Sequence, residues 1–288
     1  MDSVLVLIAA PGSGAINSRV VEALRDFGGG PPKWLAAGEA AEVMPFAKID
    51  AFLGFVKTQP IDANLVSTTN RHKKLLIADM DSTMIHQECI DELGVMAGLG
   101  DHIKDITARA MRGELDFEGA LKERVGLLKG LDETVIAKLL RERITFMEGG
   151  KTLLATMKAR GAYTALVSGG FTAFTSHVAA ALGFDENRAN TLMVADGKLT
   201  GEVAMPILGQ AAKVESLKRI CAARGYSHAD VLAVGDGAND IPMLLAAGMG
   251  VALHAKPKVQ EQAGVLVNHG DLTALLYLQG YATHEFVL

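Results

Sequence analysis

The sequence predicts an α/β protein: a parallel sheet covered by helices, interrupted by a helical insertion and preceded by a small α+β unit. Three observations carry this. Short aliphatic runs at 75–78, 164–167, 231–234 and 250–253 are separated by helical patterns at 151–160, 172–182 and 211–224. Short apolar strands alternating with helices signal βαβ units, with a parallel sheet buried on both faces. Residues from about Ile85 to Met147 carry helical periodicity only. The first 70 residues follow a different order of strand and helix signals and lead into the polar stretch Ser67-Thr68-Thr69-Asn70-Arg71-His72-Lys73-Lys74.

In that first segment, residues 4–8 form an aliphatic run closed by Pro11-Gly12-Ser13-Gly14. Val20, Val21, Leu24 and Phe27 give residues 16–27 a helical period, stopped by three glycines. A hairpin is expected at 33–37 and 42–46 around Gly38, then a helix over 49–56 and a strand over 61–66. The resulting β-α-β-β-α-β order is the split βαβ pattern of a ferredoxin-like unit. In the insertion, helices are expected at 88–97, 101–112, 116–128 and 132–143, forming a cap over the strand ends. A second hairpin is expected at 191–194 and 199–204 around Asp196-Gly197.

Composition narrows the classes. The 288 residues hold 28 basic and 33 acidic side chains, a net charge of −5, so no basic signature for nucleic acid is present. Apolar residues are 49% and charged residues 21%, the balance of a folded chain. Aromatics are only 5%, so the core is expected to be aliphatic. The two cysteines, Cys89 and Cys221, form no metal-spaced pair and fit a reducing compartment. No run approaches the ~20 apolar residues of a membrane span. The opening residues lack a basic leader, and a cytoplasmic location away from membranes is expected.

Four turns carry the chemistry. Asp79 and Asp81 end the run at 75–78, two residues apart. Ligands of open α/β sheets bind beyond the carboxyl ends of the strands. Two adjacent carboxylates repel unless a divalent cation shares them; the alternative is a polar turn with an Asp cap. Val234-Gly235-Asp236-Gly237-Ala238-Asn239-Asp240 follows another apolar run and offers oxygen ligands of the kind Mg²⁺ prefers. Ser168-Gly169-Gly170 stands between a strand and a helix. There, backbone N–H groups and a hydroxyl make an anion site or an ordinary junction. Lys213 lies near a helix start, where the macrodipole disfavours a cation, so it either points at an anion or is solvated. Together these groups suit phosphoryl transfer to a carboxylate nucleophile.

In the insertion, Phe117, Leu121 and Leu128 share one helical face, and Arg124 lies on the same stripe. An Arg in an apolar stripe needs a partner such as a substrate carboxylate, or else snorkels to water. Glu88 is either a substrate contact or an acid placed by the helix dipole.

The four motifs, in this order, resemble the haloacid dehalogenase superfamily of phosphotransferases over residues 74–275. The stretches Asp81-Ser82-Thr83-Met84-Ile85-His86-Gln87-Glu88 and Arg109-Ala110-Met111-Arg112-Gly113-Glu114-Leu115-Asp116-Phe117 look like its phosphoserine phosphatase family. That resemblance implies a Rossmann-like core at 71–85 and 148–288, a helical cap at 86–147 and an ACT-like unit at 1–70. It implies Asp79 as nucleophile and metal ligand. Asp81 would be the acid and base, and its backbone carbonyl a further Mg²⁺ ligand. On the same resemblance Asp236 would complete the metal shell, with Asn239 and Asp240 nearby. Ser168, Gly169 and Lys213 would hold the phosphate. Glu88 would face the ammonium and Arg124 the carboxylate of phosphoserine, while Met111 and Phe117 would line the cap wall. The implied reaction is hydrolysis of phosphoserine, the last step of serine biosynthesis, with a homodimer left open. Another small phosphomonoester, or an amino-acid sensor built on the first segment, are the alternative readings.

Overall fold

The computed structural model describes residues 3–111 and 114–288, and only the backbone of Met111. The N-terminal segment runs β1 Ser3–Ala9, α1 Ser18–Asp26, β2 Lys33–Ala36, β3 Ala40–Val43, α2 Ile49–Val56 and β4 Ile61–Ser67. Its antiparallel sheet has the order β2-β3-β1-β4, the split βαβ topology the pattern predicts. Asn17 starts α1 by accepting hydrogen bonds from the N–H groups of Arg19 and Val20. The second hairpin strand lies earlier than the expected 42–46. Pro45 has no N–H to give a ladder. Pairing therefore stops at Val43, and Ala40 and Ala41 carry it instead.

β1 is aliphatic throughout because both of its faces are covered. Leu5 and Leu7 join Val20, Leu24, Phe52 and Val56 beneath α1 and α2. Val4, Val6 and Ile8 join the core that contains Leu275 and Tyr277 of α11 Ala274–Leu278. Polar side chains fasten the two parts. Asn64 pairs with the edge strand β12 Val265–Val267, donating to Leu266 O at 2.8 Å and accepting from Leu266 N at 2.9 Å. The buried Asp62 accepts from the N–H groups of Asn268, His269 and Gly270 at 2.8, 2.9 and 3.1 Å. Asp62→Ala is expected to cost about 2 kcal/mol, read as a lower urea midpoint, because those donors lose a charged acceptor.

The second sheet is parallel throughout, in the order β12-β11-β10-β5-β6-β7. Its other strands are β5 Leu75–Ala78, β6 Tyr163–Phe171, β7 Glu186–Asn190, β10 Val231–Gly235 and β11 Met249–Leu253. Leu76 and Ala78 share a core with residues of α7 Gly150–Ala159 and α8 Thr172–Leu182. Leu75 and Ile77 face the other way, toward α9 Gln210–Arg224 and α10 Ile241–Ala246. Ala78 pairs with Val234 on one side and Leu166 on the other, so β5, β10 and β6 deliver their following residues at one level.

Between β5 and α7 stands the helical insertion: α3 Cys89–Met96, α4 Gly100–Met111, α5 Phe117–Leu127 and α6 Thr134–Glu142. Its entry and exit chains are zipped together. His86 N donates to Thr145 O at 3.1 Å and Met147 N to Met84 O at 3.0 Å. The hairpin of β8 Leu192–Ala195 and β9 Lys198–Val203 holds its far side, with Gly130 N donating to Leu199 O at 2.8 Å. No helix among the described residues is long and apolar enough to cross a membrane.

Candidate active site

β5 ends by handing Asp79 into the sheet's carboxyl edge. Asp79 N still donates to Val234 O at 3.0 Å, which extends the ladder by one residue. The chain then turns sharply: Thr83, Met84 and Ile85 all donate to Met80 O, and Ser82 takes φ 55°. This turn brings Asp81 back to the same cavity as Asp79.

β10 delivers Asp236 from the adjacent strand. Crowding favours glycine before it: a Cβ on Gly235 would lie 2.4 Å from Asp240 Cγ and 2.7 Å from its Cβ. Thr83 Oγ1 donates to Asp236 Oδ1 at 3.2 Å, and Lys256 Nζ stands 3.8 Å from Asp236 Oδ2. Lys213 is buried in α9, with Nζ 2.7 Å from Asp79 Oδ1 and 2.5 Å from Asp240 Oδ1. It is therefore not a solvated surface lysine.

One carboxylate oxygen from each of Asp79, Asp236 and Asp240 lies within 4.8 Å of the others. Asp240, expected to support the cluster from nearby, stands inside it, whereas the Asp81 carboxylate does not. Asp79 is buried, and its Oδ1 meets Lys213 Nζ. An all-oxygen set of clustered carboxylates fits a hard divalent cation.

The electrostatics match. Burial, then the charge of Asp240, push the Asp79 carboxyl well above its usual range, against Lys213. Burial and Glu88 push Asp81 up to about 7, and burial and Asp240 push Asp236 up to about 6. Burial works against the Lys213 ammonium, but Asp79 and Asp240 outweigh it and hold the group above its ordinary value.

The cavity beside these groups has a volume of about 330 Å³. The core lines it with Asp79, Asp81, Ser168, Gly169, Asp236 and Asn239, and the insertion with Glu88, Phe117 and Arg124. The expected residues thus converge, with three qualifications. Lys213 does not line the cavity but lies buried against Asp79 and Asp240. The side chain of Met111 lies outside the described residues. Ser168 does not stand at a helix N-terminus as expected. β6 continues through Phe171, α8 begins only at Thr172, and the Ser168 hydroxyl accepts from Gly170 N at 2.8 Å.

Glu88 occupies the residue before α3 without capping it, and accepts from Ser82 Oγ at 2.9 Å. Arg124 donates from Nε to Ala120 O at 3.2 Å and has no ion-pair partner among the described residues. Burial lowers its pKa, against the nearby charges of Asp91, Glu88 and Asp81. Phe117 packs on a glycine floor, with Cζ 3.1 Å from the position a Gly169 Cβ would take. Residues that sequence reasoning missed also line the cavity: Asp91, Thr107 and Lys256. Lys256 had a readable signal, since it follows β11 at the same carboxyl edge.

A parallel-sheet core, a helical cap and carboxylates on neighbouring strand ends define a capped α/β protein with an acidic centre at its sheet's carboxyl edge. Residues 76–245 match the haloacid dehalogenase-like hydrolase family, more than half of the chain, and the chain belongs to that family. It is 45% identical over 215 residues to a phosphoserine phosphatase of Streptomyces coelicolor, covering 75% of this chain and 52% of that protein. The chain thus matches about half the length of that relative. A probable phosphoserine phosphatase of Vibrio cholerae superposes with a TM-score of 0.82 at 31% identity, covering 99% of this chain and 88% of that one. A phosphoserine phosphatase solved as a phospho-aspartyl intermediate analogue superposes at 0.67 with 42% identity, covering 71% and 98%.

Proposed function

We propose that this chain hydrolyses O-phospho-L-serine to L-serine and phosphate through an aspartyl-phosphate, with Mg²⁺ as cofactor, as the last step of serine biosynthesis in the cytoplasm. One observation carries the reading. Glu88 and Arg124 line the same cavity as Asp79 and Asp81, so opposite charges suited to a zwitterionic head share it with a carboxylate suited to act as nucleophile.

In this reading the core segments 71–85 and 148–288 supply the chemistry, and the cap segment 86–147 supplies the selection. Glu88 meets the substrate ammonium and Arg124 its carboxylate, with Phe117 as the wall. Ser168, the Gly169 backbone and Lys213 hold the phosphoryl oxygens. An Asp79 carboxylate oxygen attacks phosphorus while the bond to the serine oxygen breaks. Asp81, whose raised pKa of about 7 leaves a protonated fraction at neutral pH, gives its proton to that leaving oxygen. Asp81 then takes a proton from water, whose oxygen attacks phosphorus. The bond to Asp79 breaks and phosphate leaves. Asp79, Asp236 and the Asp81 backbone carbonyl would hold Mg²⁺, with Asp240 alongside. When bound, the ion neutralises charge on the phosphoryl oxygens and orients the ester. The relative captured as a phospho-aspartyl analogue supports carboxylate attack.

The test is phosphate release from phosphoserine, phosphothreonine and an aryl phosphate, with Mg²⁺ and with chelator. Release from phosphoserine that needs Mg²⁺ is expected; none from phosphoserine, with an aryl phosphate turned over, overturns the substrate. Arg124→Ala is expected to lower kcat/KM for phosphoserine about 10- to 100-fold, the loss of one charge-assisted pair. Turnover of the aryl phosphate, which has no carboxylate, stays within about threefold of the parent.

A further inference from the structure

Asn190 ends β7, belongs to none of the sequence motifs and is 2% exposed. The β6–β7 ladder pairs Val167 with Arg188, and next Phe171 with Asn190. Four steps along β6 thus face two along β7, and residues 168–170 bulge out of the sheet. The bulge carries Ser168 and Gly169 to the cavity wall. It also takes the Gly169 carbonyl out of the ladder, leaving an acceptor that must be satisfied elsewhere.

The Asn190 side chain supplies the partner. Its Nδ2 donates to Gly169 O at 2.8 Å and to Leu208 O at 3.2 Å, and its Oδ1 accepts from Leu208 N at 2.7 Å. The peptide from Gly169 to Gly170 is planar and trans, so its N–H points away from its C=O. That N–H donates to Ser168 Oγ at 2.8 Å. With one lone pair of Ser168 Oγ taken by that N–H, the hydroxyl proton stays free to be donated into the cavity.

We propose that Asn190 is a positioning residue for phosphoryl binding. By fixing the Gly169–Gly170 peptide, it turns the Ser168 hydroxyl into a donor aimed at an anionic ester oxygen. The inference rests on the phosphatase reading above.

The test uses the full chain and inorganic phosphate as competitive inhibitor. Asn190→Asp keeps the shape and the acceptor for Leu208 N but removes both donors. Phosphate inhibition is expected to weaken about tenfold, the loss of one hydrogen bond. The kcat/KM for phosphoserine and for an aryl phosphate should fall by the same factor, because the cap contacts are untouched. In a Ser168→Ala background the Asn190→Asp change should have no further effect on phosphate inhibition. Should Asn190→Asp fold poorly, Asn190→Ser, which keeps one short donor, is held to the same criteria at a smaller loss. Unchanged phosphate inhibition, whatever the melting temperature does, overturns the inference. So do losses that add fully to those of Ser168→Ala. A parent enzyme that releases phosphate from no phosphomonoester overturns the phosphatase reading instead.

Discussion

Asp79→Asn is expected to release phosphate at no more than ~10⁻⁴ of the parent rate and, in chelator, to melt at a higher temperature than the parent. The first effect follows from chemistry: a carboxamide oxygen is a poor nucleophile, and the cavity offers no other group at that position. The second follows from the cluster. Burial and Asp240 raise the Asp79 carboxyl, so the folded state holds its proton more tightly than the unfolded chain does. Stability from that group is present at low pH and lost as pH rises through the raised value. Above the ordinary carboxylate range this raised carboxyl therefore costs stability, which Asn removes. The melting advantage should shrink as pH falls toward that range, read by comparing about pH 8 with about pH 5. Saturating Mg²⁺ should stabilise the parent more than the variant, since the ion binds the folded carboxylates. Turnover that survives the substitution, after separation from any contaminating phosphatase, removes Asp79 as nucleophile. A variant that melts lower than the parent in chelator shows instead that the Lys213 contact outweighs the repulsion.

This opposition between activity and stability was legible in the sequence, because each half of the cluster closes an unbroken aliphatic run. Residues 75–78 and 231–234 are buried on both faces, so their apolar continuity marks central strands, and central strands bring their carboxyl ends together. The bulge at Ser168 was not legible. It depends on how β6 registers with β7, and β7 reads Glu186-Asn187-Arg188-Ala189-Asn190, too polar to announce a strand. An edge strand with one neighbour carries little hydrophobic signal. The three-residue β12 was hidden for the same reason, although it anchors Asn64 of the N-terminal sheet. In the cap, the stripe of Phe117, Leu121 and Arg124 was readable because helical spacing alone sets which residues share a face. Asp91 and Thr107 reach the cavity from α3 and α4, whose placement against each other is tertiary and leaves no local trace.

Lys213→Met tests the cluster from the cation's side and should produce the largest loss of stability, about 3–5 kcal/mol at neutral pH. The ammonium is 2% exposed and touches two carboxylates, while Asp236 stands close by. Removing it leaves Asp79 and Asp240 buried without their counter-ion, beside Asp236, and a thioether cannot hydrogen-bond them in its place. The sign of the pH dependence follows from what can replace the lost charge. Asp79 and Asp236 already bind protons more readily than ordinary carboxyls, Asp236 near pH 6. Acid supplies protons where the lysine supplied its charge, so the deficit should narrow as pH falls through about 6. Adding Asp240→Asn should restore much of the stability, because it deletes one of the two charges the lysine paired. It should not restore phosphate release, since the phosphoryl oxygens still lack the lysine. Urea unfolding of parent, single and double variants at about pH 5 and about pH 8 reads all three terms. A deficit equal at both pH values would mean that Lys213 acts by packing its aliphatic stem. A double variant no more stable than the single one would mean that Asp240 is held chiefly by its bond from Gly237 N–H, at 3.0 Å, and not by the ammonium.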